Sequence, residues 1–279
     1  MKKFIAVLTG LSLSCMLFAG CGGGGDYEKY ASAYKKVSAQ GGMEANIDLS
    51  LKMDGVTTET DGLFKLDTSD GKNILYYEMD VDGNKIIQFS DGDYIYTEAD
   101  GHKTRYAMNS KPAMSSDREE AQKKGSDTDS TFNTEEFLNE FSSFLEAGKI
   151  KELGLLSPIE RAAITDISAS RDVYTLSFSD TLVKKYLNII IANETQSTDG
   201  DTLVIDELNN FSNKVTVTND IVTKAQYSGT MKVTVPASLM ASGTETSYDL
   251  DLVIDISFVD PGSAVDITLP STDGYETLN

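Results

Sequence analysis

Residues 43–55, MEANIDLSLKMDG, alternate apolar and polar side chains without a break. Met43, Ala45, Ile47, Leu49, Leu51 and Met53 occupy one phase, and Glu44, Asn46, Asp48, Ser50 and Lys52 the other. Successive strand side chains point to opposite faces of a sheet. The segment therefore reads as a long strand with one buried and one wet face, which an antiparallel sheet allows. The Asp54-Gly55 pair at its end favours the left-handed backbone of a tight hairpin. A chain built of such units has to find a cover for one oily sheet face.

The pattern repeats. TTETDGLFKLD puts Phe64 and Leu66 on one side, and ILYYEMDV puts Leu75, Tyr77, Met79 and Val81 on one face. KIIQFS, DYIYTE and TRYAM follow, separated by Asp70-Gly71, Asp82-Gly83-Asn84, Asp91-Gly92-Asp93 and Asp100-Gly101. The N-terminal half is expected to be an antiparallel meander of about six strands. A second meander is expected near the C-terminus. Its units are RAAITDISASRDVYTLSFSD, NKVTVTND, AQYSGTMKVTVP and the run in which Leu250, Leu252, Ile254, Ile256 and Phe258 alternate with polar residues. SAVDITLP is expected to close the sheet.

Helical spacing appears in a few places. Tyr27, Tyr30, Ala31, Tyr34 and Val37 recur at a helical period, with Asp26 as N-cap and Gly41-Gly42 as terminator. Phe137, Leu138, Phe141, Phe144 and Leu145 form a stripe behind Thr134, and a short helical piece over 150–156 follows. Leu182, Val183, Tyr186, Leu187, Ile190 and Ile191 form another behind Ser179 or Asp180. Residues 109–131 lack apolar periodicity and read as a mobile linker. These helices are too few to cover a flat sheet of about ten or more strands. A strongly curled sheet wrapped around them needs less helical area. The expected fold class is α+β: a strongly curved antiparallel β-sheet, an incomplete β-barrel, with helices packed on the concave face.

Composition excludes several kinds of chemistry. The chain of 279 residues carries a net charge of −20, which opposes binding to nucleic acid or an anionic membrane face. There are two cysteines, Cys15 and Cys21, and one histidine, His102, set in the turn-like EADGHKTRY. A Ser-His-Asp triad or a His-containing metal site would have to use that single imidazole. Asp80-Val81-Asp82-Gly83-Asn84 has the spacing of a calcium loop but lacks the terminal bidentate Glu, and a hairpin turn accounts for it better. Asp and Glu fall at turns and on wet strand faces, where they serve solubility and discourage edge pairing. No catalytic residue, metal ligand or cofactor site is assigned, and the chain is not read as an enzyme.

The N-terminus carries Lys2 and Lys3, then no charge from Phe4 to Ala19, as in a secretory signal. Ala19-Gly20-Cys21 then resembles a bacterial lipobox, with Phe18 where Leu is commoner. That resemblance implies removal of residues 1–20 and a diacylglyceryl thioether on Cys21. Two acyl chains suffice for stable anchoring. The glycines at 22–25 would form a flexible tether over 21–25, with a single domain over 26–279. Cys15, preceded by Ser14, is a weaker alternative. The expected location is the extracytoplasmic face of a cell membrane, and the expected partner is that membrane.

The helix YEKYASAYKKV leading into MEANIDLSLKMDG, the strand-turn-strand VTVTNDIVTKAQYSGTMKV and the closing VDPGSAVDITLP together resemble the LolA-like and LprG-like lipoprotein half-barrels. The Cys-Gly start and Tyr-rich first helix are also similar to lipoproteins of Gram-positive gut bacteria. The half-barrel resemblance implies a carrier or chaperone for an acyl-chain or lipid-anchored ligand. No arginine is placed to gate a cavity as in that family. Candidate cavity-lining residues are Leu49, Leu51, Leu75, Tyr77, Met79, Met231, Leu252 and Ile254. The alternative is a filled core with a protein- or glycan-recognising outer face; the sequence names no protein partner.

Overall fold

The computed structural model describes residues 25–69, 74–81, 83–99, 101–107, 163–194, 202–240 and 243–277. The expectations for the signal, Cys21, the 109–131 linker and the helices over 134–145 and 150–156 lie outside these residues.

Helix α1 spans Gly25–Lys35 and leads into strand β1, Gly42–Met53. The meander continues as β2 Val56–Asp67, β3 Ile74–Val81, β4 Asn84–Ser90, β5 Tyr94–Ala99 and β6 His102–Ala107. The second half contains β7 Ile164–Ser170, β8 Val173–Phe178, helix α2 Asp180–Glu194, β9 Val204–Thr218, β10 Ile221–Val235, β11 Thr246–Val259 and β12 Glu276–Thr277. All the described strands join one 12-stranded sheet in the order β12-β6-β5-β4-β3-β2-β1-β11-β10-β9-β8-β7. Every pairing is antiparallel except β12 on β6. The sheet is curved and open, with edges at β7 and β12: an incomplete barrel.

The two meanders meet at the centre, where β1 pairs β11 from Glu44↔Val259 to Met53↔Leu250. In β1 the residues Met43, Ala45, Ile47, Leu49 and Leu51 are all buried, as the alternation requires. The hairpin after β1 uses Asp54 at φ 51° and Gly55 at φ 81°, and that after β9 uses Asn219 and Asp220 at 53° and 61°. Paired positive φ values match the right-handed twist of the flanking strands.

Helix α1 lies on the apolar face, and α2 adds Val183, Tyr186 and Leu187 to the same core. From α1, Tyr30 meets Tyr174 of β8 with ring centroids 6.3 Å apart, and Tyr34 meets Phe258 of β11 edge-on at 5.8 Å. Helix α2 runs along β9 beyond the reach of β8, which pairs only with residues 212–216. There it supplies the hydrogen bonds that a neighbouring strand would make. The Asn188 Nδ2 donates to the Ile205 carbonyl at 2.9 Å, its Oδ1 accepts from the Ile205 N–H at 2.7 Å, and Lys184 Nζ donates to the Asp206 carbonyl at 2.8 Å. Asp180, the first residue of α2, accepts from the N–H groups of Asn210 and Phe211 at 3.1 and 3.0 Å. Asn210, at φ 55°, marks a bulge where the β9–β10 register slips. The Asp180 carboxylate satisfies the N–H groups that the bulge takes out of the ladder.

Four expectations are corrected. Gly25 belongs to α1 rather than to the tether. The stretch read as one strand around 164–178 is a hairpin, β7–β8, turning at Arg171 with φ 53°. SAVDITLP is not a strand. Strand β11 is already paired on both sides, so the outgoing chain finds no free edge until it reaches β6, where Glu276 and Thr277 pair in parallel. Strands β4 and β5 are not wet on their outer face either. There Phe89 stacks on Tyr96 at 4.7 Å, and Tyr275 of the C-terminal segment packs edge-on against both, at 5.8 and 5.1 Å. Leu269, Ile87, Tyr76 and Tyr94 border this second cluster. Burial and the nearby Glu98 charge raise the Tyr275 hydroxyl pKa, and Lys103 lies over its ring at 5.3 Å.

Candidate interior site

The cross-strand register assembles the candidate residues from distant parts of the chain. Leu49 of β1 faces Ile254 of β11, and Leu51 faces Leu252. Across the next ladder Tyr227 of β10 faces Ile254, Gly229 faces Leu252, and Met231 faces Leu250. On the other side, β2 bridges to β3, where Phe64 faces Tyr77, Leu66 faces Leu75, and Gly62 faces Met79. A Cβ on Gly62 would lie 3.1 Å from the Glu78 carbonyl oxygen, so glycine keeps β2 and β3 in close register there.

Apart from Gly62 and Gly229, these residues belong to one hydrophobic core, with Leu75 packed against it. Leu49, Leu51, Tyr77, Met79, Met231, Leu252 and Ile254 are at most 5 % exposed, while Leu75 is half-buried at its edge. They share one face, and it is closed to solvent.

One residue on that face was not singled out from the sequence. Asn213 of β9 lies between Leu176 of β8 and Tyr227 of β10, so the row Leu176-Asn213-Tyr227-Ile254-Leu49-Thr60 crosses six strands. Asn213 is wholly buried, and neither its Oδ1 nor its Nδ2 has a hydrogen-bond partner among the described residues. A buried polar group left unsatisfied costs roughly 1–3 kcal/mol. The signal was present in the sequence, since Asn213 is in phase with Val215 and Val217 of the same alternating run.

The outer face has its own pattern. Asp80, Asp61, Asp48 and Asp255 stand opposite one another across β3, β2, β1 and β11. Gln226 donates to Asp255 at 2.8 Å at one end of the row. Like charges directly opposite destabilise a sheet. Asp48 is held above the ordinary carboxyl value of 3.8 by desolvation, then by the charges of Asp61 and Asp255. A carboxyl with a raised folded pKa binds its proton more readily folded than unfolded. Stability therefore rises as pH falls through the raised value and levels off below the unfolded one. Asp48→Asn should accordingly be more stable than the parent chain at pH 7, with the difference vanishing near and below pH 3.8. Urea denaturation of both proteins from pH 7 to 3.5 checks this; a variant less stable at pH 7 would show that the row is not repulsive.

Nearby, the Tyr76 hydroxyl and Lys85 Nζ, the latter at 2.6 Å, both donate to Glu78. Burial acts to raise the Glu78 pKa, but the two hydrogen bonds and the Lys85 charge outweigh it, and the carboxyl titrates below its ordinary value. Asp80, from the calcium-like stretch, accepts the Gly83 N–H at 2.7 Å, as a hairpin turn requires. Among the described residues no three His, Cys, Asp or Glu side chains are placed to hold a metal ion. An open depression of about 320 Å³ by the β1–β2 turn mixes Lys52 and Lys232 with Asp54, Glu207, Asp249 and Asp251 and selects no single ligand charge. No described helix is long and apolar enough to cross a membrane.

No known protein family and no curated protein matches the sequence. Among solved structures, the chain is similar to a DUF1329 family protein from Desulfovibrio piger, at 13 % identity and a TM-score of 0.28, with 86 % of this chain and 94 % of that one covered. It is also similar to a LolA superfamily protein from Nitrosomonas europaea, at 7 % identity and a TM-score of 0.25, with the same coverage. At that distance neither likeness assigns a family. What the chain's own topology establishes, over the described residues, is an open, curved, twelve-stranded sheet with one buried apolar face.

Proposed function

We propose that this protein is a non-enzymatic, extracytoplasmic lipoprotein that binds or carries a hydrophobic ligand on the inner face of its curved sheet. In this reading residues 1–20 are removed, Cys21 carries the lipid anchor, and residues 26–279 form one domain held at the membrane. The observation that supports the reading is the apolar inner face, continuous from β8 through β9, β10, β11, β1 and β2 to β3 and built from residues of both halves of the chain. Such a surface suits alkyl chains, which need area and shape rather than specific polar partners. The closed state of that face means that a ligand enters by parting the elements packed on it.

That same closure favours a second reading, a cell-surface interaction module with a solid interior. Mass spectrometry of lipid extracted from gently purified native protein separates the two. Lipid at near one equivalent is expected; its absence would favour the interaction module. Incorporation of radiolabelled palmitate into the parent chain but not into Cys21→Ser tests the anchor separately.

A further inference from the structure

Asn213 sets a carboxamide with no hydrogen-bond partner among the described residues into the apolar inner face. We infer that Asn213 is the hydrogen-bonding anchor for an electrically neutral polar group, a hydroxyl or ester carbonyl, carried by an apolar ligand; this rests on the ligand-binding reading above. Three observations lead to it. First, the carboxamide sits in the same cross-strand row as Leu49 and Ile254, so a group bonded to it would have apolar side chains along the row for its alkyl part. Second, both amide atoms are sealed from solvent as well as unpartnered, so no water-sized space adjoins them. The amide gains a partner only if the side chains packed over it part and a molecule enters. Third, the buried polar side chains among the described residues are Thr60, Ser90 and Asn213, with no Lys or Arg. An anionic head would be buried without a counter-charge in a chain of net charge −20. A carboxamide offers two donors and an acceptor, which suits a neutral hydroxyl or carbonyl.

The test uses three ligands of one chain length. The intact protein is loaded with the neutral fluorophore N-phenyl-1-naphthylamine, which is then displaced with 1-dodecanol, dodecane or dodecanoate. Dodecanol should bind about tenfold more tightly than dodecane, the equivalent of one buried hydrogen bond, and more tightly than dodecanoate. Asn213→Leu, which keeps the branched shape, should abolish the preference for the alcohol over dodecane. Asn213→Ala carries the same titration if the larger leucine does not pack. Survival of the alcohol preference in the variants, or a parent preference for dodecanoate, would overturn the anchor and leave the ligand-binding reading standing. Failure of all three compounds to displace the fluorophore from the parent would overturn that reading, and the anchor with it.

Discussion

Replacing Tyr34 by alanine should cost about 3–5 kcal/mol of stability, the range for emptying an aromatic site in a core. Tyr34 has no solvent exposure and packs against Tyr30 at 6.0 Å and edge-on against Phe258 at 5.8 Å. It thereby joins α1 to the strand that links the two meanders. Alanine keeps the helix propensity but removes the ring, and the backbone of β11, paired on both sides, has little freedom to collapse into the gap. The exposed neighbour Lys35 provides the control, since Lys35→Ala should change stability by no more than about 0.5 kcal/mol. Urea denaturation of the intact variants reads both values. A loss below about 1 kcal/mol for Tyr34→Ala would show that α1 is not docked on the sheet as described.

The second large effect tests the sheet's two-faced character. Leu49→Asp should destroy the cooperative folding transition, with a loss of about 4 kcal/mol or more. Leu49 is 2 % exposed and faces Ile254 on one side and Thr60 on the other, so a carboxylate there would have no cation to meet. Asn46→Asp, in the opposite phase of the same strand and exposed, adds a charge beside Asp48 and should cost no more than about 1 kcal/mol. Circular dichroism melts of the pair decide it. Similar behaviour of the two variants would mean that β1 does not present one face to the core.

Much of this architecture could be read from short stretches. The α1 stripe of Tyr27, Tyr30 and Tyr34, the phase of β1, and the turns at Asp54-Gly55 and Asn219-Asp220 all depend on neighbours a few residues apart. The β7–β8 hairpin was missed because its turn, Arg171-Asp172, lacks the usual glycine or asparagine. Asn213 was passed over because an asparagine within an alternating run looks like a polar-face residue until its phase is counted against Val215 and Val217. Among the cavity candidates, the side facing the core was legible for each residue. Whether they met was not, because Leu49 and Ile254 are separated by most of the chain.

Local periodicity and turn chemistry were enough to dictate a curved, mostly antiparallel sheet with one oily face, because the backbone alternates its side chains whatever lies far away. Strand order was settled only by three-dimensional pairing. It is long-range hydrogen bonding that places β1 beside β11, lines up four aspartates on the outside, carries the C-terminal residues across to β6, and leaves a buried amide among hydrocarbon side chains.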